Sequence, residues 1–149
     1  MSKERIRHHR VRTKGFITTF KEHPHLEPYY THKFNYFGSK WNSVNEAYEG
    51  LEEPEMSTQK KLNLMGKILY ACFSQNSDAA AELLTTKDIW IEKKVTTHDN
   101  FWHNCKCPEC YLTEGNNYYG RLLMEVRHRL LWEKSPNNKY KKTWKPKYF

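Results

Sequence analysis

Three of the four cysteines fall within six positions: Cys105, Cys107 and Cys110 follow His103 as His-x-Cys-x-Cys-x-x-Cys. Thiolates and imidazole nitrogens at such spacing can complete a tetrahedral zinc site, and a closed set of four protein ligands would make that zinc structural. Pro108 and the surrounding loop composition suit a compact knuckle, and His98 competes with His103 for the fourth place. No second Cys-x-x-Cys pair accompanies the cluster, so reduced thiols in a loop are the alternative. No matched base stands beside a thiol, which argues against a cysteine nucleophile. Cys72 sits in an apolar helical pattern and reads as core.

Carboxylates are the second group with chemistry to offer. Glu46 and Glu49 stand in Ser43-Val-Asn-Glu-Ala-Tyr-Glu49, and Asp99 precedes Phe101-Trp102. Each also has a structural explanation. Ser43 is an N-cap candidate with Glu46 at capping-box spacing. Glu49 is a helix residue of the kind that normally stays in water. Asp99 suits a loop turn or cap.

The elements that position these groups are mainly helical. Phe16 to Phe20 reads as a short strand, and His23-Pro-His-Leu-Glu-Pro28 as a turn-rich connector. Residues 32–37 alternate aromatic and polar, Gly38-Ser39 turns, and Lys40-Trp41 resumes, which predicts a small β-hairpin. A helix follows Ser43 through Tyr48. Ser57 or Thr58 starts another, whose apolar face carries Leu62, Met65, Leu69 and Cys72 with Ile68 and Phe73 beside them. Ser77 caps a short helix over 78–84, Ile89 to Ile91 is extended, and residues 95–118 are mostly loop. Leu122, Leu123, Val126 and Leu130 mark a last amphipathic helix. The expected fold is one compact domain, mainly α with a small β-hairpin, over residues 15–132.

Two stretches resemble the NADAR (YbiA-like) family of N-glycosidases. Asp99, Phe101, Trp102, Gly115, Asn117, Gly120, Leu123, Met124 and Arg127 match its Asp-x-Phe/Tyr-Trp-Gly … Gly-x-Asn-x-Leu-Gly-x-x-Leu-Met-x-x-Arg pattern. Tyr70-Ala-Cys-Phe-Ser-Gln-Asn76, then Leu83-Leu-Thr85, is similar to a second segment. Leu26 to Tyr48 aligns more weakly, through Tyr29, Tyr30, Phe34, Gly38, Trp41, Ser43, Val44, Ala47 and Tyr48. The chain departs from the pattern where Pro28 replaces Asn, Asn45 replaces Glu, Glu46 replaces His and His103 replaces Gly.

The resemblance implies a YbiA-like fold and cleavage of a ribosyl C1–N bond. That reaction passes through an oxocarbenium-like state, best served by a carboxylate that stabilises charge and positions water. At the family's helix carboxylate stands Asn45, which can orient water but carries no charge. Glu46 is turned from Asn45 by about 100° on a helix, whereas Glu49, four residues on, shares its face. Asp99 is the matched alternative. Trp102 would wall the base, Tyr48 would help bind the substrate, Asn117 would bond ribose or phosphate, Gly115 and Gly120 would admit phosphate near a helix N-terminus, and Arg121 would meet the pyrophosphate. Core packing explains Trp102 equally well, and a turn explains Asn117.

The formal charge of +8 is uneven. Residues 1–14 and 133–149 each carry six Lys or Arg against one Glu, leaving −2 on residues 15–132. Basic ends commonly meet nucleic-acid phosphates. Residues 1–14 read as a flexible basic arm, with Arg10 and Arg12 as contacts. In the tail Tyr140, Trp144 and Tyr148 recur among lysines, so Trp144 with Lys141 and Lys142 suits single-stranded DNA. The same spacing also fits a helical face packed on the body. Within the family, ADP-ribosylated guanine in DNA and ribosylamine intermediates are the implied substrates. The basic ends favour the first, with a bacterial or phage setting and a toxin or defence protein as the opponent. An inactive ADP-ribose or nucleic-acid binder, or an adaptor acting by protein contact, are the competing expectations. No apolar run approaches the roughly 20 residues of a membrane span, and the charged start lacks a signal-like segment. The expectation is a cytoplasmic protein with no organic cofactor.

Overall fold

The computed structural model describes residues 16–17 and 20–134. The basic arm and tail, with Arg10, Arg12, Lys141, Lys142 and Trp144, lie outside the described residues. Strand β1 (Phe16–Ile17) pairs in parallel with β4 (Trp90–Ile91), and β5 (Lys94–Val95) in parallel with β6 (Asn104–Cys105). Between them, β2 (Phe34–Tyr36) and β3 (Ser39–Trp41) form the antiparallel hairpin. Phe37 and Gly38 turn it with φ of +54° and +78°, the doubly left-handed geometry that matches strand twist.

Among the described residues, four α-helices follow the expected order: α1 (Val44–Leu51), α2 (Thr58–Gln75), α3 (Ser77–Thr85) and α4 (Tyr118–Lys134). Ser43 and Ser57 cap α1 and α2 by accepting the N–H of Glu46 and Lys60. The cap of α3 is Asn76 rather than Ser77, and its side chain donates to Lys33 and Cys72 carbonyls instead. The last helix runs through Lys134, past the expected domain edge at 132.

Helix α2 is the core. Its apolar face, Leu62, Met65, Ile68, Leu69, Cys72 and Phe73, is buried against α4, with α1, α3 and the hairpin around it. Burying each large side chain contributes about 1.5–3 kcal/mol, so Leu69→Ala would cost about 2–5 kcal/mol. The Gln75-Asn76 pair ends α2 with fold-holding bonds. The Gln75 amide exchanges two 2.8 Å hydrogen bonds with the Asn35 backbone, which fixes the hairpin to the helix. Arg127 is buried and donates at 2.9 Å to Thr86 Oγ1 and the Ile89 carbonyl, locking α4 onto the end of α3. Burial pulls its guanidinium down to about 10, with Asp88 opposing. No helix among the described residues is long and apolar enough to cross a membrane.

Candidate active site

The matched residues gather on the loop before α4. The first amides of a helix lack intrahelical acceptors, and here the loop supplies them. Tyr118 and Tyr119 donate to the Phe101 and Trp102 carbonyls at 3.3 and 3.0 Å. Asn116 and Asn117 donate to the carbonyls of Asn100 and His103. Asp99 fixes the same loop from its other side, its Oδ1 accepting the N–H of Phe101 at 3.1 Å and of Trp102 at 2.8 Å. The second oxygen of Asp99 has no hydrogen-bond partner among the described residues.

Trp102 is half-exposed and meets two rings edge-on, Phe101 at 4.7 Å and Tyr48 of α1 at 5.4 Å between centroids. The Tyr48 hydroxyl is buried with no partner in hydrogen-bonding geometry. Burial, then the nearby Glu52 carboxylate, raise that phenol well above its usual range. Lys61 of α2 lies over Phe101, 5.3 Å from the ring centroid. It also borders a hollow of about 370 Å³ lined by Glu52, Glu53, Pro54, Glu55 and Met56.

His103 packs edge-on to Tyr119 at 5.6 Å, with a buried and unpartnered Nδ1. Burial pulls its imidazole down to about 4, Lys93 adds to the shift, and Asp99 and Glu27 oppose it. Glu27 itself accepts from Lys93 Nζ at 2.5 Å. Glu27 is not among the residues expected from the sequence. The signal lay in Pro28, where the family pattern breaks. The Pro28 carbonyl accepts the Asn45 N–H at 2.9 Å and so docks the Glu27 loop on the first turn of α1.

Helix α1 carries three more of the expected site residues. Glu46 accepts from Asn42 at 3.1 Å, Glu49 is exposed and Asn45 is half-buried. Asn117 is 1% exposed, takes φ of +53°, and its amide donates to the Ile91 carbonyl. Its Oδ1 is buried without a partner. Two of the expected glycines abut backbone where a side chain would start: a Cβ would lie 2.4 Å from the His103 carbonyl oxygen at Gly115 and 2.1 Å from that of Ile91 at Gly120. Arg121 donates to the Asn116 carbonyl and lies over Trp90, 5.3 Å from its ring centroid.

The cysteines do converge. His98, Cys105, Cys107 and Cys110 place one ligand atom each within 4.8 Å of one another, a group able to hold a metal ion. The histidine is His98; His103 turns its ring to Tyr119 instead. A second hollow, about 380 Å³, is lined by His25, Tyr30, His32 and the Gln75–Asp78 turn, apart from the expected site residues.

No protein-family model and no curated protein matches this sequence. Among solved structures, the NMR structure of the E. coli protein YbiA superposes with a TM-score of 0.65 at 18% identity, over 85% of this chain and 90% of that one. The likeness establishes a YbiA-like fold.

Proposed function

We propose that the protein is an N-glycosidase or ADP-ribosyl hydrolase, with a modified base held against Trp102 and Tyr48. The observation that carries this is Asp99. One of its oxygens is anchored by the backbone amides of Phe101 and Trp102, while the other has no hydrogen-bond partner among the described residues. Such a carboxylate can stabilise positive charge at C1 and take the proton of the attacking water as the base leaves. Glu27 and its partner Lys93 would complete the polar side of the site, Lys93 by pairing with phosphate. Asn45 would orient the water.

The preferred substrate is ADP-ribosylated guanine in single-stranded DNA, removed in the cytoplasm to counter a toxin or antiviral defence. The basic ends support this choice, since a small metabolite needs no such charge. Zinc is the metal we assign to the His98–cysteine group, in a structural role.

The test is release of free ADP-ribose from single-stranded DNA carrying ADP-ribosyl-guanine. Release by the wild type, lost in Asp99→Asn, supports the reading. One observation favours a second reading, an inactive binder: α1 presents Asn45 where the resembled pattern has Glu. Tight binding of the same DNA without release would establish that reading instead.

A further inference from the structure

His98 and Cys105 are the two ends of a six-residue loop, 99–104, which carries Asp99, Trp102 and His103. We infer that a single zinc ion bound by His98 Nδ1 and the Sγ atoms of Cys105, Cys107 and Cys110 closes this loop and so sets the position of the site. The inference rests on the Trp102 loop being the substrate-facing element.

The geometry is that of a zinc knuckle. With Zn–S bonds of about 2.3 Å and Zn–N of about 2.0–2.1 Å, tetrahedral angles put sulfur about 3.5 Å from nitrogen. His98 Nδ1 lies 3.4 Å from Cys107 Sγ and 3.5 Å from Cys110 Sγ. The nitrogen is therefore placed as a ligand to a shared ion. The Cys107-Pro-Glu-Cys110 segment turns sharply, Cys110 donating to the Cys107 carbonyl at 2.9 Å, which brings its two thiols to one point. The His98 N–H points at Cys105 Sγ at 3.2 Å, a bond that stabilises a thiolate. On the far side of the ring, Nε2 lies 3.6 Å from Glu109 Oε1, the carboxylate–imidazole–metal arrangement that orients a ligating histidine. Four protein ligands leave no open position, so the ion does not take part in the reaction.

The consequence is mechanical. Cys105 is in β6, paired to β5, and His98 is one residue before Asp99. Joining them fixes both ends of the segment whose carbonyls receive the first amides of α4. Without the ion the loop would be held by Asp99, those backbone bonds, Asn100 Oδ1 accepting the Cys105 N–H, and the Asn104 side chain between Glu92 and the Gly115 N–H.

The experiment uses the full chain, purified with zinc and then stripped with a chelator. Zinc content is measured, and cobalt is added to the stripped protein for its tetrahedral thiolate absorption. Amide exchange is followed at Phe101, Trp102 and Tyr119, with Leu69 and Cys72 as core references. The expected result is one zinc per chain, a three-sulfur cobalt spectrum, and at least tenfold faster exchange at the loop amides on stripping, with the α2 amides unchanged. Absence of stoichiometric zinc overturns the inference. So does exchange at the loop that ignores removal, or loss of protection throughout α2. Cys110→Ser, which deletes the most exposed thiol ligand, should reproduce the stripped exchange pattern. Should zinc-loaded protein fail to release ADP-ribose, the enzymatic reading falls while the exchange result still decides the role of the metal.

Discussion

Asp99 supports Trp102 through the backbone: its Oδ1 accepts the Trp102 N–H at 2.8 Å, while the indole itself packs edge-on against Tyr48. One carboxylate thus offers two groups, an oxygen that holds the loop and a second with no hydrogen-bond partner among the described residues. Truncation would confound them. Asp99→Ala removes an ionised acceptor from two amides and should cost about 1.5–3 kcal/mol. Asp99→Asn keeps an acceptor oxygen and should fold with a loss within about 1 kcal/mol. If the carboxylate stabilises charge at C1, the Asn variant should still lose hydrolysis by about 100-fold or more. Urea melts of both variants beside ADP-ribose release measure the two roles separately. Wild-type rates in Asp99→Asn would remove Asp99 from the chemistry.

Tyr48 offers a sharper separation of structure from function. Its hydroxyl is buried with no partner in hydrogen-bonding geometry, only the Glu52 carboxylate lying nearby, an arrangement that costs stability unless something else meets it. Tyr48→Phe keeps the ring against Trp102. Its stability should equal or exceed the wild type's by up to about 1 kcal/mol. Where the hydroxyl serves a ligand, ADP-ribose affinity should fall by about five- to tenfold, the worth of one neutral hydrogen bond. Titration calorimetry reads this directly, and unchanged affinity would assign Tyr48 to packing alone.

Gly115 and Gly120 separate a ligand-approach role from a packing role. A Cβ at Gly120 would lie 2.1 Å from the Ile91 carbonyl oxygen, and one at Gly115 2.7 Å from Asn104 Cα, in both cases against backbone that cannot rotate away. Each Ala substitution should cost about 3 kcal/mol, measured by chemical denaturation. A folded, near-wild-type Gly120→Ala protein would contradict the packing of α4 on β4 described here.

Those glycines also show where the sequence was legible and where it was not. Periodicity placed the α2 face residue by residue, because burial against one neighbour leaves a 3.6-residue signature. Capping chemistry placed the starts of α1 and α2 for the same local reason. Asn117 and the glycines were visible as a motif, but a motif does not say which atoms fill the space beside it. Here protein fills it: Ile91, His103 and the Asn117 amide itself. Glu27 was harder still. Its contact with Lys93 spans 66 residues, and no local pattern records such a pairing. The choice between His98 and His103 turned on loop geometry that spacing alone left open.

Glu109 should tune the metal without touching it. It is exposed, and its carboxylate lies 3.6 Å from His98 Nε2. Outer partners of this kind are worth about 10–100-fold in metal affinity when well buried. At a wet surface the lower end applies, so Glu109→Gln should weaken zinc by about tenfold. Competition with a chromophoric chelator measures the change. Folding of the zinc-saturated variant should match the wild type, since Glu109 makes no core contact. Identical zinc affinity would show that the ring is oriented by the loop alone.

His32 predicts how the fold responds to acid. The residue is 5% exposed, its Nε2 lies 3.0 Å from His25 Nδ1, and Tyr30 and Phe73 stack around it. Burial, then the facing His25, pull its imidazole from 6.5 down to about 4. The unfolded chain therefore takes up a proton on falling through pH 6.5, while the folded chain holds out until about 4. Above 6.5 both states are neutral and the residue costs nothing. Between 6.5 and 4 stability falls as the solution is acidified, and below 4 the loss levels off. At about 1.4 kcal/mol per pH unit the ceiling is about 3 kcal/mol. Carboxylates contribute a similar slope at the acid end, so the informative quantity is the difference between wild type and His32→Gln. Denaturant midpoints taken every half unit from pH 7.5 to 4 should show the wild type losing ground to the variant across that window. Parallel curves would mean that the folded protein already accommodates a charged ring at this position.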